Sequence, residues 1–134
     1  MTWYLLDTNH LGLVATPGTS IHQRVLDGHA VGHRFGTCLP VFCELEVGIE
    51  QVRDPAKYRR NLERVLRIVR TWPLDRETAR IYGATYHELR KAGRALSAVD
   101  IMLAAVARQM NLVLLSTDRD FEALPDIRCE NWTI

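Results

Sequence analysis

Short apolar stretches separated by polar, capping and turn-forming residues set the rhythm of this chain. Trp3-Tyr4-Leu5-Leu6 is β-prone and stops at Asp7-Thr8-Asn9, three residues that favour turns and helix caps. The pattern predicts a buried strand that ends in an acidic cap. Pro17-Gly18 makes a turn, and Thr19 or Ser20 caps a helix carrying Ile21, Val25 and Leu26 as far as Gly28. A second short strand is expected near Phe35 to Cys38. Pro40 then stands at the first position of a helix running through Val41-Phe42-Cys43-Glu44-Leu45.

Asp54-Pro55 punctuates the chain before an amphipathic helix whose apolar residues, Tyr58, Leu62, Val65, Leu66 and Val69, follow spacings of 4, 3, 1 and 3. Trp72-Pro73-Leu74 reads as a brief extended link. Asp75 caps a further helix on which Ala79, Tyr82, Tyr86 and Leu89 keep a helical period until Gly93. Ser97 opens another helix, Ala98 to about Met110, that is apolar nearly all round and is therefore central. Leu112-Val113-Leu114-Leu115 is a buried strand ended by Ser116-Thr117-Asp118, and Arg128 to Ile134 supplies a last strand. Strands alternate with helices, which predicts an α/β fold with a mainly parallel central sheet flanked by helices. No repeat, low-complexity tract or long linker divides residues 1–134, so one domain is expected.

Composition narrows the function classes. The 134 residues are 47% hydrophobic and 25% charged, enough to bury a core. Seventeen Lys and Arg against sixteen Asp and Glu leave a net charge of +1, which excludes nucleic-acid binding through bulk positive charge but not through a local patch. No apolar run approaches the ~18 residues of a membrane span. The opening MTWYLLDTN lacks the basic region of a secretory signal. Three cysteines, Cys38, Cys43 and Cys129, are too few for a disulfide framework, and a reduced, cytoplasmic setting is expected.

The chemical anomaly lies in four acids. Asp7 and Asp118 each follow an apolar strand directly, at the end where open α/β sheets form their ligand crevice. Asp100 sits in the first turn of the most apolar helix, and Glu44 lies on a helix that follows a short strand. Singly, each has an ordinary explanation as a helix cap or first-turn acid. Together they converge on one sheet edge, where two like charges ~4 Å apart repel by ~4 kcal/mol at an effective dielectric of about 20. Such a group must take up protons or hold a cation. An all-oxygen donor set suits Mg²⁺ or Mn²⁺, and the chemistry such an ion serves is phosphodiester hydrolysis.

The ordered motifs resemble the PIN-domain nucleases. Leu5-Leu6-Asp7-Thr8-Asn9 is similar to their opening strand, Glu44-Leu45-Glu46-Val47-Gly48 to their E-L-x-x-G element, and Leu96-Ser97-Ala98-Val99-Asp100 to their central I-G-x-x-D helix. Leu115-Ser116-Thr117-Asp118-Arg119-Asp120-Phe121 resembles the T-x-D-x-D-F segment, and Glu130-Asn131-Trp132 the closing strand. The likeness covers essentially the whole chain and is strongest to the VapC group, the ribonuclease toxins of type II toxin–antitoxin pairs. It implies a PIN-like fold and a divalent-metal endoribonuclease acting on structured RNA such as tRNA or rRNA. It also implies a homodimer and a VapB-like antitoxin whose C-terminal segment covers the acidic pocket. Carried across by position, Asp7, Glu44, Asp100 and Asp118 are the metal-binding acids, with Asp7 and Asp100 as direct ligands of Mg²⁺ or Mn²⁺. Asp118 acts directly or through a water, and Glu44 positions the attacking water. Thr8, Asn9 and Thr117 match positions that orient these acids by hydrogen bonds. Asp120 is an alternate acid with surface or capping as its simpler role. Ser97 replaces the usual Gly, and His10 stands where an apolar residue is more common, its simpler reading being a plain helix-face histidine.

Residues 53–70 hold seven basic side chains against two acidic ones. Among them Arg53, Lys57, Arg60, Arg64 and Arg67, spaced 4, 3, 4 and 3, predict a helical stripe that contacts RNA phosphates or the antitoxin. His29 with His33, and Cys38 with Cys43, have zinc-compatible spacings, although small buried residues suit those cysteine positions better. Tyr58, Tyr82 and Tyr86 fit core packing better than base stacking. Two rival readings remain: a housekeeping PIN nuclease in RNA maturation, and a non-catalytic α/β interaction module such as a phosphoacceptor. The latter needs a lysine beside the acids, and Lys57 and Lys91, the only lysines, follow no predicted strand.

Overall fold

Leu5 and Leu6 are adjacent and both are fully enclosed, although successive strand residues face opposite sides of a sheet. Their strand, β1 (Trp3–Leu6), is therefore covered on both faces, the condition under which parallel sheets form. The computed structural model describes residues 1–134. After β1 come helices α1 (Thr8–Val14) and α2 (Ser20–Ala30), strand β2 (Arg34–Cys38), helices α3 (Leu39–Ile49) and α4 (Pro55–Val65), strand β3 (Val69–Trp72), and helices α5 (Arg76–Lys91) and α6 (Ala98–Met110). Strand β4 (Val113–Leu115), a 3₁₀ turn (Arg119–Ala123) and strand β5 (Cys129–Glu130) complete the chain.

The sheet order is β3-β2-β1-β4-β5 and every pairing is parallel. The chain moves outward from β1 to β3, then returns to the other side of β1 for β4 and β5. That reversal opens a crevice at the C-terminal ends of β1 and β4, the usual ligand position in such sheets. Asp7 and the Ser116-Thr117-Asp118 segment emerge there. The N–H of Asp7 still donates to the Leu115 carbonyl at 3.1 Å, so the first acid is fixed to the neighbouring strand. Helix α6 buries Ile101, Leu103, Ala104, Ala105, Val106 and Ala107, as its all-round apolarity predicts.

The structure departs from the hydrophobic pattern at several places. The helix expected over residues 55–69 stops at Val65, because Arg67 and Ile68 donate to carbonyls three residues back, Arg64 and Val65, and tighten the last turn. Val69 begins a strand instead, paired with Phe35. Trp72 is therefore the last residue of β3 and not a link. Gly36 of β2 makes room for it: a Cβ there would stand 2.5 Å from the Trp72 indole nitrogen. Helix α2 continues past Gly28 to Ala30, with Phe35 packed at the place where Gly28 has no side chain. The last strand is only Cys129–Glu130, shorter than the expected 128–134. Tyr58 and Tyr82 pack against the core, whereas Tyr86 is 38% exposed and carries Arg90, so core packing does not describe it.

Candidate acidic active site

Asp7, Asp100 and Asp118 are presented by a helix cap, a first helical turn or the turn that follows a strand, and Glu44 by the second turn of α3. Asp7 caps α1 through its side chain, accepting from the His10 N–H at 2.8 Å, and is only 5% exposed. Asp100 lies in the first turn of α6, its N–H donating to the Ser97 capping oxygen at 3.1 Å. The Ser97 that departs from the family pattern thus serves as the helix cap. Asp118 accepts from the Asp120 N–H at 2.8 Å and starts the 3₁₀ turn. Glu44 lies exposed on α3 and accepts from the Thr8 hydroxyl at 2.5 Å.

These acids share one electrostatic environment. Burial pushes the Asp100 carboxyl up to about 6, and the negative charges of Asp7, Asp118 and Glu44 push the same way against the Ser97 hydrogen bond. The Cys129 thiol is raised to about 11, chiefly by burial and in part by Asp7, Glu130 and Asp118. Four carboxylates far apart in the chain therefore sense one another at one end of the sheet. They do not form a closed cage, since no three His, Cys, Asp or Glu side chains stand at metal-ligand spacing. The donors are hard oxygens, and the proton affinity of Asp100 is what an adjacent cation would relieve. The residues thus fit Mg²⁺ or Mn²⁺ in an open site that retains waters.

The neighbouring polar residues tie the acids to the scaffold. Thr8 holds Glu44, and the Asn9 amide donates to the Thr117 hydroxyl at 3.3 Å, joining the turns after β1 and β4. Asp120 is turned to Arg94, 2.9 Å away, so it is held outside the cluster. His33 accepts from the Thr2 N–H at 3.0 Å. Cys38 is buried at the end of β2, with its thiol raised to about 11 by burial, and Cys43 is exposed on α3. His10, read from the sequence as a helix-face histidine, is completely enclosed and touches Asp7. The sequence signal was its apolar position in the motif, which marks burial without naming a partner.

The basic stripe is only partly helical. Arg53 precedes the Asp54 cap and Arg67 follows the Leu66 cap, leaving Lys57, Arg60 and Arg64 on α4. Arg60, Arg64 and Arg67 line a shallow depression with Arg59 and Glu63. Arg59 itself is paired with Glu46 and Glu50 of α3. An apolar trough lined by Leu39, Val47, Trp72, Leu74, Val99 and Met102 opens beside Glu44.

Fold and site together define a parallel α/β protein with an acidic crevice at its topological switch point. The PIN domain family matches residues 4–127, and the chain belongs to that family. No curated protein sequence matches significantly. Among solved structures, a chain of VapBC2 from Rickettsia felis, bound to a promoter DNA fragment, is similar with a TM-score of 0.85 and 21% identity over 98% of this chain and 99% of that one. A chain of DNA-bound VapBC from Salmonella typhimurium gives 0.82 and 25% over 98% and 99%. Mycobacterium tuberculosis VapC20, described as a Sarcin-Ricin loop cleaving toxin, gives 0.63 and 19% over 90% and 94%. No helix is long and apolar enough to cross a membrane.

Proposed function

We propose that the protein is an Mg²⁺- or Mn²⁺-dependent endoribonuclease acting as the toxin of a type II toxin–antitoxin pair, with structured RNA such as tRNA or rRNA as substrate. The observation that carries this reading is that Asp100, raised chiefly by burial, also feels the charges of Asp7, Asp118 and Glu44 at one end of the sheet. Membership of the PIN family supports nuclease chemistry. The toxin role is supported by the likeness to VapBC chains and to a ribosomal-loop-cleaving toxin.

Asp7 and Asp100 would hold the cation, with Asp118 as a further oxygen donor. A bound divalent ion supplies Lewis-acid activation of water and neutralises charge at the scissile phosphate. Glu44, held by Thr8, orients the attacking water and accepts its proton. Asn9 and Thr117 keep the two strand-end turns in register, so that Asp7 and Asp118 stay on the same side of the phosphate. Arg60, Arg64 and Arg67 engage the RNA backbone. A VapB-like antitoxin and a second copy of the chain complete the assembly, and the exposed Leu39 and Val47 beside Glu44 are side chains that a partner would cover.

The direct experiment is RNA cleavage by purified protein. Asp7→Ala and Asp100→Asn should each abolish it while circular dichroism remains native. Full activity in either variant, or activity that survives exhaustive chelation, contradicts the reading.

A further inference from the structure

The imidazole of His10 has no exposed surface, and each of its nitrogens has a partner. The backbone N–H of Trp132 donates to Nε2 at 3.1 Å. An accepting nitrogen carries no proton, so the hydrogen-bond network assigns the ring proton to Nδ1. Nδ1 lies 2.9 Å from Asp7 Oδ1, and the backbone N–H of His10 reaches the same oxygen at 2.8 Å. Both donors fall on Oδ1 and none on Oδ2. One carboxylate oxygen is thereby saturated by the protein and the other is left for an external partner.

The far end of this relay is equally constrained. The Trp132 ring has the Arg24 guanidinium 3.8 Å from its centroid and packs against Tyr4 at 4.8 Å and Phe35 at 5.8 Å. Its indole N–H donates to Glu130 at 3.0 Å. The segment beyond β5 is pinned by this cluster, so the Trp132 N–H is a fixed reference point. His10 rigidly connects that point to Asp7, 125 residues away in numbering.

We propose that His10 is a positioning residue for the cation site: its Nδ1–H, kept in that tautomer by the bond from Trp132 to Nε2, holds the Asp7 carboxylate with Oδ2 directed into the crevice. This rests on the reading of Asp7 as a cation ligand. A donor kept on Nδ1 fixes the rotation of the carboxylate, and such partners of ligating groups commonly contribute ~10–100-fold to metal affinity. A merely space-filling histidine would leave affinity untouched.

Two substitutions separate the two bonds of the ring. In His10→Asn the amide nitrogen falls near the place of Nδ1, keeping the donor to Asp7 and releasing Trp132. In His10→Gln the amide oxygen falls near the place of Nε2, keeping the acceptor for Trp132 and removing the donor to Asp7. Calorimetric titration of metal-free protein with MnCl₂ is the readout, with thermal melting alongside. His10→Gln should bind Mn²⁺ at least ~10-fold more weakly than wild type while melting close to it. His10→Asn should restore the affinity while melting earlier. Equal affinity in His10→Gln and wild type, or the same loss in both variants, overturns the inference. Nitrogen chemical shifts of the wild-type imidazole need no variant: a proton found on Nε2 also overturns it. Asp100→Asn serves as the control for the underlying reading. If wild type takes up no Mn²⁺, or Asp100→Asn titrates like wild type, the cation site itself is refuted. If Asp100→Asn loses binding and His10→Gln does not, only the role of His10 fails.

Discussion

Asp100 occupies the position in the molecule where an acid is least comfortable. It begins the most apolar helix, and burial together with three neighbouring carboxylates raises its carboxyl from the usual range to about 6. In the unfolded chain an aspartate titrates near ~3.9. Between those values the folded protein holds a proton that the unfolded chain has released, so metal-free stability falls as pH rises through that window. The full shift corresponds to at most about 3 kcal/mol. Asp100→Asn should therefore be more stable than wild type at pH 7.5 in chelator, with the gap closing toward pH 4, as urea denaturation at several pH values would show. A variant less stable than wild type throughout would contradict a carboxyl raised by burial and its acidic neighbours. The acid itself was legible in the sequence, because a charged residue at the start of an apolar helix is conspicuous. His10 was not: its partner, Trp132, is 122 residues further on, and no local spacing encodes a contact that the strand order creates.

Among the elements, α6, the central sheet and the caps followed from local pattern, whereas β3 did not. Val69-Arg70-Thr71-Trp72 is too short and too polar to announce itself, and Val69 extends the apolar period of α4 by coincidence. Its evidence is tertiary, the pairing with β2 over Gly36. Gly36→Ala should displace the Trp72 indole and destabilise the protein by about 1–3 kcal/mol, read by denaturation and Trp fluorescence. Arg108 is the second such feature, binding Asp126, Glu88 of α5 and Thr85 from within α6. Its guanidinium lowers the Asp126 carboxyl by hydrogen bonding, partly offset by burial. A depressed carboxylate stabilises above its unfolded titration range and loses that contribution as pH falls. Arg108→Ala should thus be less stable at neutral pH, by about 1–3 kcal/mol, and the difference from wild type should shrink below pH ~4. On the basic surface, joint reversal of Arg60 and Arg64 to Glu should weaken RNA binding and flatten its dependence on salt. Unchanged binding would assign that surface away from RNA.

At the scale of the whole molecule, the α/β class and the gathering of the four acids were readable because both depend on what ends a strand. Apolar runs gave β1 and β4, and the acids that follow them are where a parallel sheet with a reversal opens its crevice. Strand order was not readable, nor was the openness of the site, where the acids sense one another without standing at ligand spacing. A cation is what this arrangement needs to stabilise it, and binding to the folded state alone adds about 2.7 kcal/mol when the ion is at 100 times its dissociation constant. The most direct measurement is the thermal midpoint of chelator-stripped protein with and without MnCl₂, for wild type, Asp7→Asn and Asp100→Asn. Wild type should gain on the order of 5–10 °C, reversed by chelation, and both variants should gain little. No gain in wild type, or an equal gain in all three proteins, would contradict the central claim that these carboxylates share a metal ion.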